Sequence, residues 1–212
     1  MGLKTHRGTL PEERPPVGDR AVLPPSDSYT ALLEVATQLF GEVGYERTTV
    51  REIAKRMGVQ SGSLYSHISS KNEMLEQIVH RIGMEFIARA EAAIVQNDDA
   101  EAQLRQFVVQ HLIVLHAYKA AVSVYFNEWK KLDAESQRSI VKMRKHYEDL
   151  LAGIIERGIE SGVLRAADVK SAVLVVISTL NWTYQWYRPD GPRKPAELAN
   201  DFMDIILNGL KA

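Results

Sequence analysis

The spacing of apolar residues along the chain is typical of helices. From position 32, apolar residues recur at three- and four-residue steps, which would give a helix one apolar face. These residues are Leu32, Ala36, Leu39, Phe40 and Val43. Gly41 or Gly44 is expected to end this helix. Because no alternating strand pattern of useful length occurs, we predict an all-α fold.

Six later segments continue the helical spacing. They cover residues 70–96, 100–117, 118–131, 135–161, 167–187 and 195–210. Polar, glycine-containing or proline-containing runs interrupt the pattern at 97–99, 161–162 and 189–192. The chain has no internal repeat.

Two short helices are predicted before residue 66. Thr49 and Glu52 form a capping box, which starts a helix of about nine residues. Gly58 is expected to leave that helix in a left-handed turn. A second short helix follows, and Val59 and Leu64 are expected to pack it against the first.

The outward residues of the second short helix are small and polar. Small side chains let a helix approach base edges in the DNA major groove, and glutamine and serine offer hydrogen bonds there. The residues predicted to face bases are Gln60, Ser61, Gly62 and Ser63.

Residues on both sides of this helix are candidates for phosphate contacts. Ser70 and Glu73 form a second capping box, so Lys71 falls at a helix N-terminus, where a phosphate is favoured. The predicted contacts are Thr48, Thr49, Tyr65, His67 and Lys71. Two of them have structural alternatives, since Tyr65 could be a half-buried aromatic residue and Lys71 a solvated lysine.

The charge distribution fits a local nucleic-acid interface. The formal net charge of the chain is -1, whereas DNA-binding domains are usually basic. Between residues 47 and 71, however, five basic residues stand against a single acid, Glu52, which leaves a local charge of +4. Arg51, Lys55 and Arg56 belong to this segment, although they could equally form an ordinary exposed helix face.

Composition excludes several other functions. The chain of 212 residues contains no cysteine, which excludes disulfides, thiolate metal sites and a cysteine nucleophile. It shows no catalytic signature motif, and His111 and His116 lack carboxylates at metal-site spacing, so neither an enzyme nor a metal site is expected. No segment is apolar enough for a signal or a membrane helix, and we expect a cytoplasmic protein with no membrane partner.

The N-terminal residues differ in composition from the rest. Residues 1–26 hold five of the eight prolines and few apolar residues, so a flexible arm is expected. Basic residues in this arm could touch DNA phosphates, or the arm could be a solvated tail.

The motifs "TTVREIAKRMGV" and "SGSLYSHISSKNEM" resemble the DNA-binding helices of TetR-family transcription regulators. The resemblance implies a three-helix DNA-binding domain over 27–73 and a larger helical ligand-binding and dimerisation domain over 74–212. It also implies a homodimer that binds a palindromic operator on double-stranded DNA and is released by a small molecule. The chain departs from the family pattern at Gln60, where a capping Ser or Thr is frequent, and at Ile68, where Phe is usual.

The C-terminal segment resembles the TetR branch that responds to acyl-CoA thioesters of lipid, steroid or aromatic-acid degradation. An aromatic helix running into "WYRPDGP", with a final "ILNGL", carries this resemblance. The resemblance implies an acyl-CoA effector and no cofactor. A hydrophobic drug or another non-CoA ligand is the alternative effector, and a ligand-binding module that does not bind DNA is the alternative function.

The central helices contain candidates for an effector pocket, because large apolar residues and a few polar ones mix there. The predicted lining residues are Phe107, His111, Leu115, Tyr118, Tyr125, Phe126, Trp129, Tyr147, Trp182 and Trp186. Several of these residues are expected to be plain core instead. Coenzyme A phosphates would need cations, for which the candidates are Arg105, Lys130, Lys131, Arg144 and Arg188, although each of them could instead belong to a solvated face. The segments 167–187 and 195–210 are apolar on more than one side, which predicts a four-helix interface with a second copy.

Overall fold

The computed structural model describes residues 27–97, 99–188 and 191–208. These residues form nine α-helices and one short 3-10 turn without a strand, which confirms the all-α prediction. The helices are α1 (Asp27–Val43), α2 (Val50–Met57), α3 (Ser61–Leu64), α4 (Lys71–Val95), α5 (Ala100–Ala117), α6 (Lys119–Asn127), α7 (Ala134–Glu160), α8 (Val169–Trp186) and α9 (Pro195–Asn208). The predicted N-terminal arm lies outside the described residues.

Helices α1 to α3 form a small unit around one core. Leu32, Phe40, Ile53, Leu64 and Ile68 are all buried in it. Ile68, which stands where the family usually has Phe, therefore still fills a core position.

The turn between α2 and α3 depends on a glycine. Gly58 has φ of +71°, a left-handed conformation that disfavours a side chain. The Thr49–Glu52 capping box is complete at the start of α2. Val59, expected to pack α3 on α2, is instead 41% exposed, so Leu64 alone anchors α3.

Helix α4 connects this unit to the rest of the chain. It runs unbroken for 25 residues, packs against α1 at its start and contacts α5, α6 and α7 along its length. The predicted domain boundary at 73/74 falls in its first turn.

The segment predicted as one helix over 118–131 is interrupted. Helix α6 ends at Asn127, and a 3-10 turn at Trp129–Lys131 follows. The chain bends by 99° between α5 and α6. Among the described helices, no single one is long and apolar enough to cross a membrane, and only the bent pair α5 and α6 together meets those criteria of length and composition.

Candidate nucleic-acid interface and internal cavity

The residues around α3 form an exposed polar surface. Gln60, Gly62, Ser63 and His67 are exposed, and Tyr65 is 57% exposed. Ser61, at the start of α3, is half-buried and also belongs to this surface. The Gln60 side chain makes no capping hydrogen bond, so its amide is free to bind a partner.

Thr48 is a correction to the predicted phosphate contacts. Its side chain is completely buried, and its hydroxyl lies within hydrogen-bonding distance of the carbonyl oxygens of Gly44 (2.9 Å) and Leu39 (3.3 Å). Thr48 therefore holds the loop that enters α2 and does not present its hydroxyl to solvent.

Thr49 and Lys71 are placed beside this surface but already have protein partners. The Thr49 hydroxyl donates to Glu52 at 2.9 Å. The Lys71 ammonium donates to the carbonyl oxygens of Tyr45 and Thr48, both at 2.9 Å, and lies 4.1 Å from the centroid of the Tyr45 ring. An ammonium has three donors, so these two bonds fix its position and leave one N–H for another acceptor.

The local positive charge is partly neutralised. Arg56 makes a bidentate ion pair with Glu42, in which two guanidinium nitrogens lie 3.1 and 3.0 Å from the two carboxylate oxygens. Arg51 and Lys55 remain exposed on α2. The basic residues of this segment that make no ion pair with a described residue are therefore Arg47, Arg51, Lys55 and Lys71.

An internal cavity of about 220 Å³ lies among α4, α5, α6, α7 and α8. Aromatic rings form much of its wall. It is lined by Gly83, Phe86, His111, Tyr125, Phe126, Met143, Arg144, Tyr147, Glu148, Ile177 and Asn181. Four of the predicted lining residues and one predicted cation, Arg144, thus come together around one space.

Several predicted lining residues lie elsewhere. Phe107 and Leu115 share the face of α5 that carries His111, one turn to either side of it, but they are buried in the packed core and do not line the cavity. Tyr118 borders a different crevice, and Trp129 lies behind Arg144 rather than at the cavity wall. Trp182 and Trp186 are 65% and 48% exposed on the outside of α8.

Four of the five predicted cations are also absent from the cavity wall. Arg105 pairs with Glu101 and Asn200, and Lys131 pairs with Glu46. Lys130 and Arg188 are exposed. Arg144 differs because its guanidinium lies between two aromatic rings, 4.7 Å from the centroid of Tyr125 and 4.4 Å from that of Trp129. The arrangement holds a cation at the cavity with an aromatic face on each side.

His111 and Tyr147 form a polar pair in this apolar environment. The His111 Nδ1 atom and the Tyr147 hydroxyl oxygen are 2.9 Å apart. Burial lowers the pKa of His111 from 6.5 to about 3, and burial raises the pKa of Tyr147 well above 10. Both side chains are therefore neutral at physiological pH.

The lining residues that the sequence analysis missed lie mainly on α4, α7 and α8. Phe86 and Gly83 lie on one face of α4, about one helical turn apart. Met143, which belongs to α7, packs against that face at Gly83. Helical spacing predicts that Phe86 faces inward, but it does not tell whether an inward-facing residue lines a cavity or packs in the core. The rotation of the neighbouring helices decides between the two roles.

We expect His111 to make folding stability depend on pH. The unfolded chain binds a proton at His111 below pH 6.5, and the folded chain does so only near pH 3, so stability is complete above pH 6.5 and falls as the pH falls towards 3. Between pH 7.5 and 5.5 this amounts to about 1.4 kcal/mol. Denaturant titrations at fixed protein concentration should show that His111→Phe removes this loss, whereas His67→Phe, at an exposed site, keeps it. Equal pH slopes for wild type and His111→Phe would contradict the assignment.

A larger crevice of about 690 Å³ lies where α1 meets α4 and α6. Its walls carry the carboxylates Glu34, Glu42 and Glu85 together with the cations Arg81 and Lys119. Apolar side chains also line this crevice, but it lacks the cluster of aromatic rings that lines the internal cavity. No group of three metal-ligating side chains occurs within the ranges that the structure describes.

Polar contacts join the two units across the loop between α1 and α2. The Glu128 carboxylate accepts a hydrogen bond from the Tyr45 N–H at 3.3 Å, and Lys131 pairs with Glu46 at 3.2 Å. Glu128 directly precedes Trp129, which stacks on Arg144 at the cavity. A short path of contacts therefore connects the cavity wall to the loop that Lys71 also holds.

Both units of the chain are similar to known protein families. A family model described as "Bacterial regulatory proteins, tetR family" matches residues 32–78, and one described as "Tetracyclin repressor-like, C-terminal domain" matches residues 97–210. The HTH-type transcriptional repressor KstR2 of Rhodococcus jostii is 31% identical over 85% of this chain and 90% of its own length. The fatty acid metabolism regulator protein of Bacillus subtilis is 26% identical over 86% of this chain and 95% of its own length.

Solved structures show the same fold. PfmR, a TetR-family transcriptional regulator from Thermus thermophilus, superimposes with a TM-score of 0.81 at 35% identity, over 85% of this chain and 99% of its own. AibR, solved in complex with isovaleryl coenzyme A and operator DNA, has a TM-score of 0.77 at 23% identity, over 84% of this chain and 97% of its own. The matched families and the named relatives are regulators of transcription, not enzymes.

Proposed function

Because the chain belongs to the TetR family and is a transcriptional repressor of that family, we propose that it binds a palindromic operator as a homodimer and is released by an acyl-CoA thioester. The observation that carries this proposal is the exposed polar surface around α3 beside a cavity-containing helical unit. The effector belongs to a lipid, steroid or aromatic-acid degradation pathway.

The α3 surface suits the reading of bases in a major groove. Gln60, Ser61, Gly62 and Ser63 are short or extended polar residues without an acid among them, so the backbone can approach the base edges. Tyr65, His67, Thr49 and Lys71 flank this surface and would contact phosphates on either side. Lys71 has a second role, since it fixes the loop before α2 and hence the orientation of the reading surface.

A second copy of the chain would bury the exposed apolar residues of α8 and α9. Large apolar residues lie exposed on one face of α8, and another lies on α9. They are Leu174, Val175, Trp182, Trp186 and Ile205. Such a face on a folded unit favours burial against a partner, and a two-fold pair of α8 and α9 helices would form a four-helix interface. The same symmetry would place two α3 surfaces on two half-sites.

The internal cavity suits an acyl group beside an anion. Its wall is mainly aromatic and aliphatic, and Arg144 supplies a cation that cannot lose its charge. The named relatives agree with this chemistry, because one is a fatty acid metabolism regulator and AibR binds isovaleryl coenzyme A. The remaining phosphates of coenzyme A would lie outside the cavity, near the exposed Lys130.

Effector binding would weaken DNA binding through the contacts that lead from Arg144 to the α1–α2 loop. An acyl-CoA that contacts Arg144 would displace Trp129 and the adjoining Glu128, which holds the Tyr45 N–H. A shift of this loop alters the separation of the two α3 surfaces, which must match half-sites about one helical turn, roughly 34–36 Å, apart.

We expect Glu128→Ala to uncouple effector binding from DNA release. The variant loses the acceptor for Tyr45 but keeps the cavity, so the acyl-CoA should bind with unchanged affinity while its effect on operator affinity falls by at least half of the usual coupling of about 1–3 kcal/mol. Calorimetry gives the first quantity, and fluorescence anisotropy of labelled operator gives the second. Glu156→Ala, which removes an exposed carboxylate of α7, is the matched control and should keep full coupling. Undiminished coupling in Glu128→Ala would exclude this route.

Effector titration of the operator complex tests the proposed function. Acyl-CoA thioesters should release labelled operator DNA, whereas free coenzyme A should have little effect. If every thioester leaves the complex intact and a hydrophobic drug releases the DNA, the effector is not an acyl-CoA, but the protein is still a DNA-binding repressor. If the protein does not bind the operator even in dilute buffer, it is a ligand-binding module that does not bind DNA.

A further inference from the structure

We infer that the cavity takes a compact acyl group, of the size of isovaleryl or benzoyl, and that His111 donates a hydrogen bond to its carbonyl oxygen. This inference rests on the proposed function, since it specifies which thioesters act and which atom of the thioester is recognised.

His111 has an unsatisfied polar atom in an apolar environment. The residue is only 2% exposed and borders the cavity, and its Nε2 atom has no hydrogen-bond partner among the described residues. A buried polar group without a partner costs about 1–3 kcal/mol. A ligand that supplies the partner would recover this energy.

The Tyr147 hydroxyl determines which proton His111 carries. If Tyr147 donates to Nδ1, one hydrogen bond satisfies both groups, and Nε2 carries the hydrogen. In the other tautomer Nδ1 donates to the tyrosine oxygen, and both the tyrosine hydrogen and the Nε2 lone pair would lack partners. The first arrangement leaves fewer unpaired groups, so Nε2–H is a hydrogen-bond donor.

A neutral N–H donor in a buried site can bind a carbonyl oxygen at no cost in buried charge. His111 stays neutral because burial holds its pKa near 3. A thioester carbonyl oxygen is a neutral acceptor, so the pair forms without placing a net charge in the cavity. The nearby Arg144 remains available for a negatively charged part of the same ligand.

The volume limits the acyl group. At about 30 Å³ for each molecule of liquid water, the cavity of about 220 Å³ corresponds to about seven waters, a volume that suits a compact acyl group. An isovaleryl or a benzoyl group is of this size, whereas a lauroyl chain has nearly twice as many atoms. Met143 limits the space at one end, since its side chain tip packs directly against Gly83.

Calorimetry on the purified full-length protein tests the inference. Isovaleryl-CoA or benzoyl-CoA should bind at least tenfold more tightly than lauroyl-CoA or free coenzyme A. The thioether analogue of isovaleryl-CoA, which lacks only the carbonyl oxygen, should bind about tenfold more weakly than the thioester to the wild-type protein. This comparison needs no variant and therefore does not depend on the folding of one.

Two variants sharpen the test. In His111→Phe the thioester and the thioether should bind equally, whereas the control His116→Phe, which removes the other histidine with an unpartnered buried nitrogen, should keep the tenfold difference. Met143→Ala should enlarge the cavity and improve lauroyl-CoA binding, a gain that misfolding cannot produce.

The outcomes separate the inference from the proposed function. Equal binding of thioester and thioether to the wild type, or tighter binding of lauroyl-CoA, would overturn the inference and leave the acyl-CoA effector standing. If no thioester binds more tightly than free coenzyme A, the proposed effector class fails, and the inference fails with it.

Discussion

Gly62→Glu is expected to reduce operator affinity at least a hundredfold while the fold is preserved. Gly62 is exposed on α3, and a Cβ added there meets no atom within 4 Å, so a side chain fits the free protein. In the complex the carboxylate would face DNA from the middle of the base-facing set, where like-charge repulsion costs several kcal/mol. A homodimer carries the change twice, so both half-sites are affected.

Circular dichroism measures whether the fold is preserved, and fluorescence anisotropy of labelled operator measures the operator affinity. Gly62→Ala is the matched control, because it adds a side chain without charge and should lose far less affinity. Effector binding, which takes place in the other unit, should be unchanged in both variants. Full operator affinity in Gly62→Glu would show that α3 does not enter a groove.

Trp182→Asp is expected to convert the dimer into monomers and thereby to abolish tight operator binding. Trp182 is 65% exposed in the single chain and lies on the apolar face of α8. In a two-fold interface the substitution would bury two unpaired carboxylates and lose two large aromatic contacts, a cost of at least about 3 kcal/mol. A monomer reads only one half-site, so specific affinity falls with it.

Analytical ultracentrifugation at micromolar concentration follows the oligomeric state. Val141→Asp, which changes an equally apolar and exposed residue on α7, is the control and should remain dimeric. A Trp182→Asp protein that stays dimeric would show that the exposed face of α8 is not the interface.

The sequence predicts the helices and the α2–α3 surface well because local chemistry determines them. The Thr49 cap and the left-handed Gly58 need no information beyond neighbouring residues, and both occur in the structure. The break after Asn127 was not predicted, since apolar spacing continues across it. Thr48 was misassigned because nothing in its neighbours reveals that its hydroxyl turns inward to the α1 backbone.

The cavity could be predicted only in part. Phe107 and Phe86 both lie on inward faces, yet Phe86 reaches the cavity and Phe107 packs against the Tyr147 ring in the core. Which of them lines a space depends on helix rotations and crossing positions, which residue spacing does not encode. The pairing of His111 with Tyr147, 36 positions away, likewise requires the packed arrangement of α5 and α7.

Selection of bound duplexes from random-sequence DNA tests the central claim most directly. The homodimer without effector should enrich a palindrome with half-sites about one helical turn apart, and log affinity should fall with log salt by about 0.9 for each phosphate contacted. Gly62→Glu should enrich nothing under the same conditions. Wild-type protein that enriches no common sequence, or that binds with no salt dependence, would contradict the assignment of the α3 surface to DNA.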